Sequence, residues 1–153
     1  MEAVIFVGLQ GAGKTTFYAQ RFIHTHLRIS LDVLRTRHRE RLFLQQCLAS
    51  QQPFVVDNTN PTAAERARYA GPAREAGFRV AGYVFAPDVP GSLRRNAARA
   101  DARRVPPVAI YSTHKKLQPP SLAEGFDALY QVTIDAAGAF VVAPWQEWVT
   151  PAG

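Results

Sequence analysis

The sequence predicts an α/β domain with a mostly parallel sheet and helices on both faces, and three observations carry that expectation. Strand-like apolar runs alternate with helix-length segments, the order that crossover units require. The run Ala3-Val4-Ile5-Phe6-Val7 is continuously apolar and rich in β-branched residues, as a strand buried on both faces should be, and belongs at the sheet centre. Directly after it comes the glycine-rich segment Gly8-Leu9-Gln10-Gly11-Ala12-Gly13-Lys14-Thr15, followed by a helical pattern. At 153 residues, 47% hydrophobic and 20% charged, the chain reads as one domain over 1–153 with a real core, neither disordered nor fibrous.

The glycines end at Gly13, so a helix is expected from there to about His26, with Phe17, Tyr18 and Phe22 at roughly helical spacing. A short strand, Leu27 to Ser30, follows. The segment Leu31 to Gln51 has helical length, places Leu44, Cys47 and Leu48 on one face, and is closed by Pro53. Phe54-Val55-Val56 reads as a second central strand running into the polar turn Asp57-Asn58-Thr59-Asn60-Pro61. Thr62 with Glu65 forms a capping box for a helix to about Ala76, stopped by Gly77. Arg79 to Ala86 is a strand, Asp88 to Arg104 a helix ended by Pro106-Pro107, and a further helix runs to about Leu117. Ala128 to Asp135 is the next strand, with Phe140-Val141-Val142 added at its edge. Trp145 and Trp148 are expected to cover the core from a terminal helical turn.

No run approaches the roughly 18 apolar residues of a membrane span, and Glu2 rather than a basic stretch leads the N-terminal apolar run, so a soluble, cytoplasmic protein is expected. The single cysteine, Cys47, suits a reducing compartment and reads as a small buried hydrophobe. The net charge of +6 is unevenly spread. Arg94, Arg95, Arg99, Arg103 and Arg104 crowd residues 94–104 with Asp101 as the one acid, and Arg35, Arg37, Arg39 and Arg41 form a second cluster. Such fields suit phosphates of a nucleotide or a nucleic acid; solvated helix faces are the plainer alternative.

The segment Gly8 to Thr15 fits G-x-x-x-x-G-K-[ST] in its required setting between a buried strand and a helix, which makes it a phosphate-binding P-loop and sharpens the expected fold to that of the P-loop NTPases and kinases. Its glycines let backbone N–H groups curl around an anion at a helix N-terminus, Lys14 reaches the outer phosphates, and Thr15 can ligate Mg²⁺. A P-loop specifies a nucleotide but no reaction. A kinase also needs an acceptor-side base and cations on the migrating phosphoryl group. Asp32 follows the short second strand at the sheet edge where ligands bind, with Arg35 one helical turn later as an anion clamp; beside Ser30, Asp32 also reads as a helix cap. Asp57 ends a central strand, where a Walker-B-type carboxylate holds Mg²⁺, and Asn58, Thr59 and Asn60 line the same mouth; an Asx turn is the alternative. Arg95 and Arg99, at i and i+4, project together from a helix as a lid over a triphosphate. Glu124-Gly125-Phe126-Asp127 reads as a structural turn.

From the P-loop to about Val132 the chain resembles the kinase domain of the 5′-hydroxyl polynucleotide kinase family, of phage type and of the animal polynucleotide kinase/phosphatase. The carriers are Gly8 to Thr15, the pair Asp32 and Arg35, Asp57-Asn58-Thr59-Asn60-Pro61 with Ala64-Glu65-Arg66-Ala67-Arg68-Tyr69, Arg95-Asn96 with Arg99, and Val105-Pro106 leading through Lys115-Lys116 to Pro120 and Glu124-Gly125-Phe126. The resemblance implies transfer of the γ-phosphate of ATP, or another NTP, to the 5′-OH of DNA or RNA. Asp32 is then the general base, Arg35 contacts an acceptor phosphate, and Lys14 and Arg99, supported by Arg95, stabilise the β- and γ-phosphates. The nucleotide site then comprises Gly8, Gln10, Gly11, Ala12, Gly13, Lys14, Thr15, Thr16 and Arg95. Thr15 and Asp57 hold Mg²⁺, and Asp57 or Asn58, with Thr59 and Asn60, lines the acceptor side, the phage-type pattern placing its acid one position after Asp57. The sequence holds no segment for the phosphatase or repair modules of that family, so a separate phosphatase or ligase chain is an expected partner. A small-molecule kinase of the same fold, or a nucleotide-dependent nucleic-acid-binding module without phosphotransfer, are the rival readings.

Overall fold

The computed structural model describes residues 1–146. Its sheet has six strands: β1 (Glu2–Val7), β2 (Leu27–Ile29), β3 (Phe54–Val56), β4 (Arg79–Phe85), β5 (Ala128–Ile134) and β6 (Phe140–Pro144). In space they run β2-β3-β1-β4-β5-β6, the first five parallel and β6 antiparallel on β5. The apolar run of β1 therefore lies inside the sheet, Ala3 opposite Phe54 and Val80, Ile5 opposite Val56 and Gly82. From β1 the chain crosses to the far edge at β2, returns to β3, then resumes on the other side at β4. This reversal of direction opens a crevice beyond the C-terminal ends of β1 and β3, where open α/β sheets bind ligands.

Helices cover both faces, as expected. Ala3, Ile5 and Val7 face Leu44 and Cys47 of α3 (Arg37–Ser50) and Tyr69, Ala70 and Ala73 of α4 (Ala63–Glu75). Val4 and Phe6 point the opposite way, onto Phe17 and Tyr18 of α1 (Lys14–Arg21) and the adjoining Phe22. Aromatic rings dominate this second layer, Phe6 lying 5.3 Å from Phe85 and Phe17 5.3 Å from Phe140 between centroids. Cys47 is buried among apolar side chains, as expected.

Three helical expectations are corrected by local hydrogen bonding. The segment from Leu31 to Gln51 is two helices, α2 (Leu31–Leu34) and α3, because Arg35 turns the backbone to φ 73 and Thr36 then caps α3 through Arg39 N. The helix from Asp88 stops early: α5 spans Val89–Ala97, a 3₁₀ turn follows at Asp101–Arg103, and Asn96 clasps Val105 with both ends of its amide. Pro106-Pro107 opens the next helix, α6 (Pro107–Lys116), with Pro107 at the first helical position where its missing N–H costs nothing. The first helix likewise ends at Arg21, five residues before His26. Trp145 directly follows β6, packs on the core and donates Nε1–H to Pro120 O; Trp148 and the rest of the expected terminal turn lie outside the described residues.

The Glu124 turn is structural, as expected, and its partner is Arg66. Arg66 is fully buried on α4, its Nε and Nη2 donating to the two Glu124 carboxylate oxygens at 2.7 and 3.1 Å and its Nη1 to Asn60 O at 3.0 Å. This bidentate pair ties α4 to both the 3₁₀ turn Leu122–Glu124 and the mouth after β3. Glu124→Ala leaves a buried guanidinium without its counter-charge and is expected to lower unfolding free energy by about 3–5 kcal/mol in urea denaturation. A loss under about 1 kcal/mol would mean that water replaces the carboxylate there.

Candidate active site

The P-loop follows β1 into the crevice and turns through Gly11 (φ 74) and Gly13 (φ 90). A Cβ at Gly11 would lie 2.6 Å from Ser92 O, so the turn needs glycine for space as well as for φ. Gly13 caps α1 with no side-chain acceptor on the first N–H groups, which leaves them for an anion. Lys14 is buried, its Nζ donating to Gly8 O at 3.1 Å and Leu9 O at 2.6 Å. Burial pulls its pKa down to about 8, with Asp57 and Asp32 opposing and Arg99 adding to the shift. Gln10 donates Nε2–H to Thr113 Oγ1 at 3.0 Å and so braces the loop on α6. Thr16 is exposed on the first turn of α1 and is not among the residues that line the cavity beside it.

Beside Lys14, Thr15 donates its hydroxyl to Asp57 Oδ2 at 2.9 Å. Asp57 is held at the end of β3 by its N–H donating to Ile29 O. A hydroxyl oxygen next to a carboxylate oxygen is a hard-donor pair that fits Mg²⁺, an ion that takes few protein ligands and completes its shell with water and phosphate. Among the described residues no cluster of three or more His, Cys, Asp or Glu offers an all-protein metal site. The same Oδ2 also accepts from Arg28 Nε at 2.8 Å, a contact absent from the sequence reading because β2 and β3 become neighbours only in the folded sheet.

A cavity of about 270 Å³ is lined by Lys14 and Asp57 together with Asp32, Glu65, Arg99 and Arg103, and Asn58, Thr59 and Asn60 share its wall. Asp32 lies in α2, exposed at the mouth; its own N–H bonds Ser30 Oγ at 3.2 Å, so Ser30 is the cap and the Asp32 carboxylate stays free of that task. Asn58 positions that helix: Oδ1 accepts from Leu31 N at 3.0 Å, while Nδ2 donates to Glu40 Oε2 at 2.9 Å and Tyr69 OH at 3.3 Å. Arg37 closes this network on Glu40 and Tyr69, both at 2.9 Å. Burial, then the Glu40 charge, pushes the Tyr69 phenol up to about 12.

Three expected site residues do other work. Arg35 is the α2 C-cap, off the helical face shared with Asp32 and outside the cavity wall, because its left-handed turn redirects the chain. Arg95 donates Nε–H to Gly11 O and so clamps the outer edge of the P-loop; burial and the neighbouring Arg94 and Arg99 lower its pKa against the pull of Asp88. Arg99 does line the cavity, from beyond the end of α5 rather than one turn after Arg95. Asn60, buried, donates Nδ2–H to Phe6 O at 2.8 Å and pins the turn to β1. The capping box at α4 is half-formed: Thr62 Oγ1 accepts from Glu65 N at 3.2 Å, but the Glu65 carboxylate turns to the cavity, its Oε2 buried without a partner. Sequence reasoning missed Arg28, Glu65 and Arg103; of these only Arg103 carried a signal, the basic run itself.

Fold and site together define a P-loop nucleotide-binding, kinase-like domain. The chain belongs to the AAA domain family, which it matches over residues 4–120. Its sequence is similar to the bifunctional polynucleotide phosphatase/kinase of Schizosaccharomyces pombe, 24% identical over 135 residues that make up 86% of this chain and 33% of that protein. The chain thus spans about a third of the length of that relative. Among solved structures it resembles Chaetomium thermophilum Kti12 in complex with ADP-AlF3, with a TM-score of 0.65, 16% identity, and coverage of 89% of this chain and 92% of the other. It also resembles a structure of the PezAT chromosomal toxin-antitoxin system of Streptococcus pneumoniae, with a TM-score of 0.58, 17% identity, and coverage of 92% and 70%. At these identities the structural likeness is one of fold. Among the described residues no helix is long and apolar enough to cross a membrane.

Proposed function

We propose that this domain transfers the γ-phosphate of ATP to the 5′-hydroxyl of a DNA or RNA strand. The observation that carries the reading is one cavity lined both by Lys14, Thr15 and Asp57 and by Asp32, whose residue is exposed. Asp32 takes the proton of the 5′-OH as that oxygen attacks the γ-phosphorus. The new O–P bond forms in line as the bond to the β–γ bridging oxygen breaks, ADP leaves with the electron pair, and the proton passes from Asp32 to solvent. Lys14 turns from the Gly8 and Leu9 carbonyls to the nucleotide, and with Arg99 stabilises charge on the β- and γ-phosphates. Arg95 acts through Gly11, keeping the loop shaped. Mg²⁺ held by Thr15 and Asp57 would neutralise charge on the phosphate tail. Arg103 and the outlying Arg35 extend the positive lip along the path of the acceptor strand, and the likeness to a polynucleotide phosphatase/kinase supports that class of acceptor. Ends prepared in this way suit a separate phosphatase or ligase chain.

One observation favours a smaller acceptor: the unpaired Glu65 Oε2 in the cavity wall calls for a hydrogen-bond donor and repels phosphate. The two readings separate on salt. For a fluorescent 5′-OH single strand, log Kd should rise with log salt by about 0.7 per phosphate contact, measured by anisotropy between 50 and 300 mM salt on the order of physiological strength. A flat profile contradicts the polynucleotide reading and directs attention to small hydroxyl compounds.

A further inference from the structure

The two oxygens that fit a metal already share a cation from this chain. Arg28 donates Nε–H to Asp57 Oδ2 at 2.8 Å and Nη2–H to Thr15 Oγ1 at 3.2 Å, while Thr15 Oγ1 itself donates to the same Oδ2 at 2.9 Å. The Asp57 side chain is 2% exposed, and a carboxylate buried that far requires a counter-charge. Lys14 is close enough to feel Asp57 but spends its Nζ on backbone carbonyls. Among the described residues Arg28 makes the ion pair with Asp57. It comes from β2, the three-residue edge strand, and its side chain is 20% exposed, so it has a route out to solvent.

A guanidinium and a divalent cation cannot both sit on Asp57 Oδ2 and Thr15 Oγ1 without strong repulsion at such short range. We propose that Arg28 is a resident stand-in for the divalent cation: it neutralises Asp57 and orients Thr15 until a metal arrives, and metal entry displaces its guanidinium from both oxygens. Arg28 is thus a positioning residue that disfavours metal binding by the protein alone. Metal enters with a nucleotide, whose phosphate oxygens supply the ligands and binding energy that the protein pair lacks. Displacement also sets free a guanidinium beside the phosphate site, so metal binding and the position of Arg28 are linked. The inference rests on the phosphotransfer reading only in assigning the metal to Thr15 and Asp57, and it is independent of the acceptor.

The test uses the full chain, with neither nucleotide nor acceptor, and Mn²⁺ as the probe, its free concentration read by electron paramagnetic resonance. Arg28→Gln should bind Mn²⁺ at least about tenfold more tightly than wild type, from the size of the repulsion removed. Thermal melts give a second readout: without metal the Gln variant should melt below wild type, and Mn²⁺ should restore it while leaving wild type nearly unmoved. Adding Asp57→Asn to Arg28→Gln should abolish the gain in Mn²⁺ affinity, which locates it at that carboxylate. Equal or weaker Mn²⁺ binding by folded Arg28→Gln overturns the proposal, as does a loss of fold that Mn²⁺ fails to reverse. A protein that labels no oligonucleotide yet gives the tighter Mn²⁺ binding would contradict the proposed acceptor alone.

Discussion

Lys14→Met should lower kcat/KM for phosphotransfer by about three orders of magnitude, the effect of removing a cation aimed at developing charge in a partly desolvated site. Its Nζ is held by the P-loop carbonyls in the cavity wall, and neither Lys115 nor Lys116, at the end of α6, lines that cavity. Met fills a similar volume, so the fold is expected to persist. The depressed pKa of about 8 adds a second signature. Nucleotide binding favours the protonated amine, so the dissociation constant for ATP should be level below about pH 7.5 and then weaken up to tenfold per pH unit above 8. The stability sign is opposite. Between 8 and the ordinary 10.5 the unfolded chain binds more protons than the folded one, so Lys14 makes stability rise with pH through that window, and Lys14→Met loses the rise. Calorimetric titration of an ATP analogue at several pH values checks the first statement, and urea melts check the second.

Asp32→Asn should cut kcat by about 10²- to 10⁴-fold, the range for loss of a general base, while leaving ATP affinity within about twofold. Asp32 is exposed and Ser30, not Asp32, caps the helix, so this isosteric change is expected to leave the fold intact. Loss of ATP affinity equal to the loss of turnover would place Asp32 on the nucleotide side of the cavity. An unchanged kcat would remove it from the chemistry.

The features legible in the sequence were those set by short-range rules. Gly8 to Lys14 combines a local turn geometry with one cation, and strand β1 declares its burial through five consecutive apolar side chains from Ala3. Asp57 was legible because a polar residue at the end of a buried strand must emerge at the sheet's ligand edge. The breaks were harder. Arg35 has no residue preference that announces a positive φ, and the cue lay in two capping residues, Ser30 and Thr36, spaced too closely for one helix. The end of α5 depends on Asn96 finding the backbone of Val105, a clasp that looks from sequence like any exposed helical asparagine. Arg28 and Glu65 were invisible for a stronger reason: the first acquires its role from a strand pairing and the second from declining its cap, both decided by tertiary packing. Arg66 and Glu124, in turn, meet across 58 positions of chain.

The most direct measurement of the central claim is Mg²⁺-dependent transfer of label from γ-labelled ATP to a 5′-OH oligonucleotide, with the same strand bearing a 5′-phosphate as control and nuclease digestion to locate the label. The account predicts label on the 5′-terminal nucleotide of the 5′-OH strand, none on the control, and none with Asp32→Asn. ATP binding with no labelled strand, or equal labelling of both strands, would contradict it.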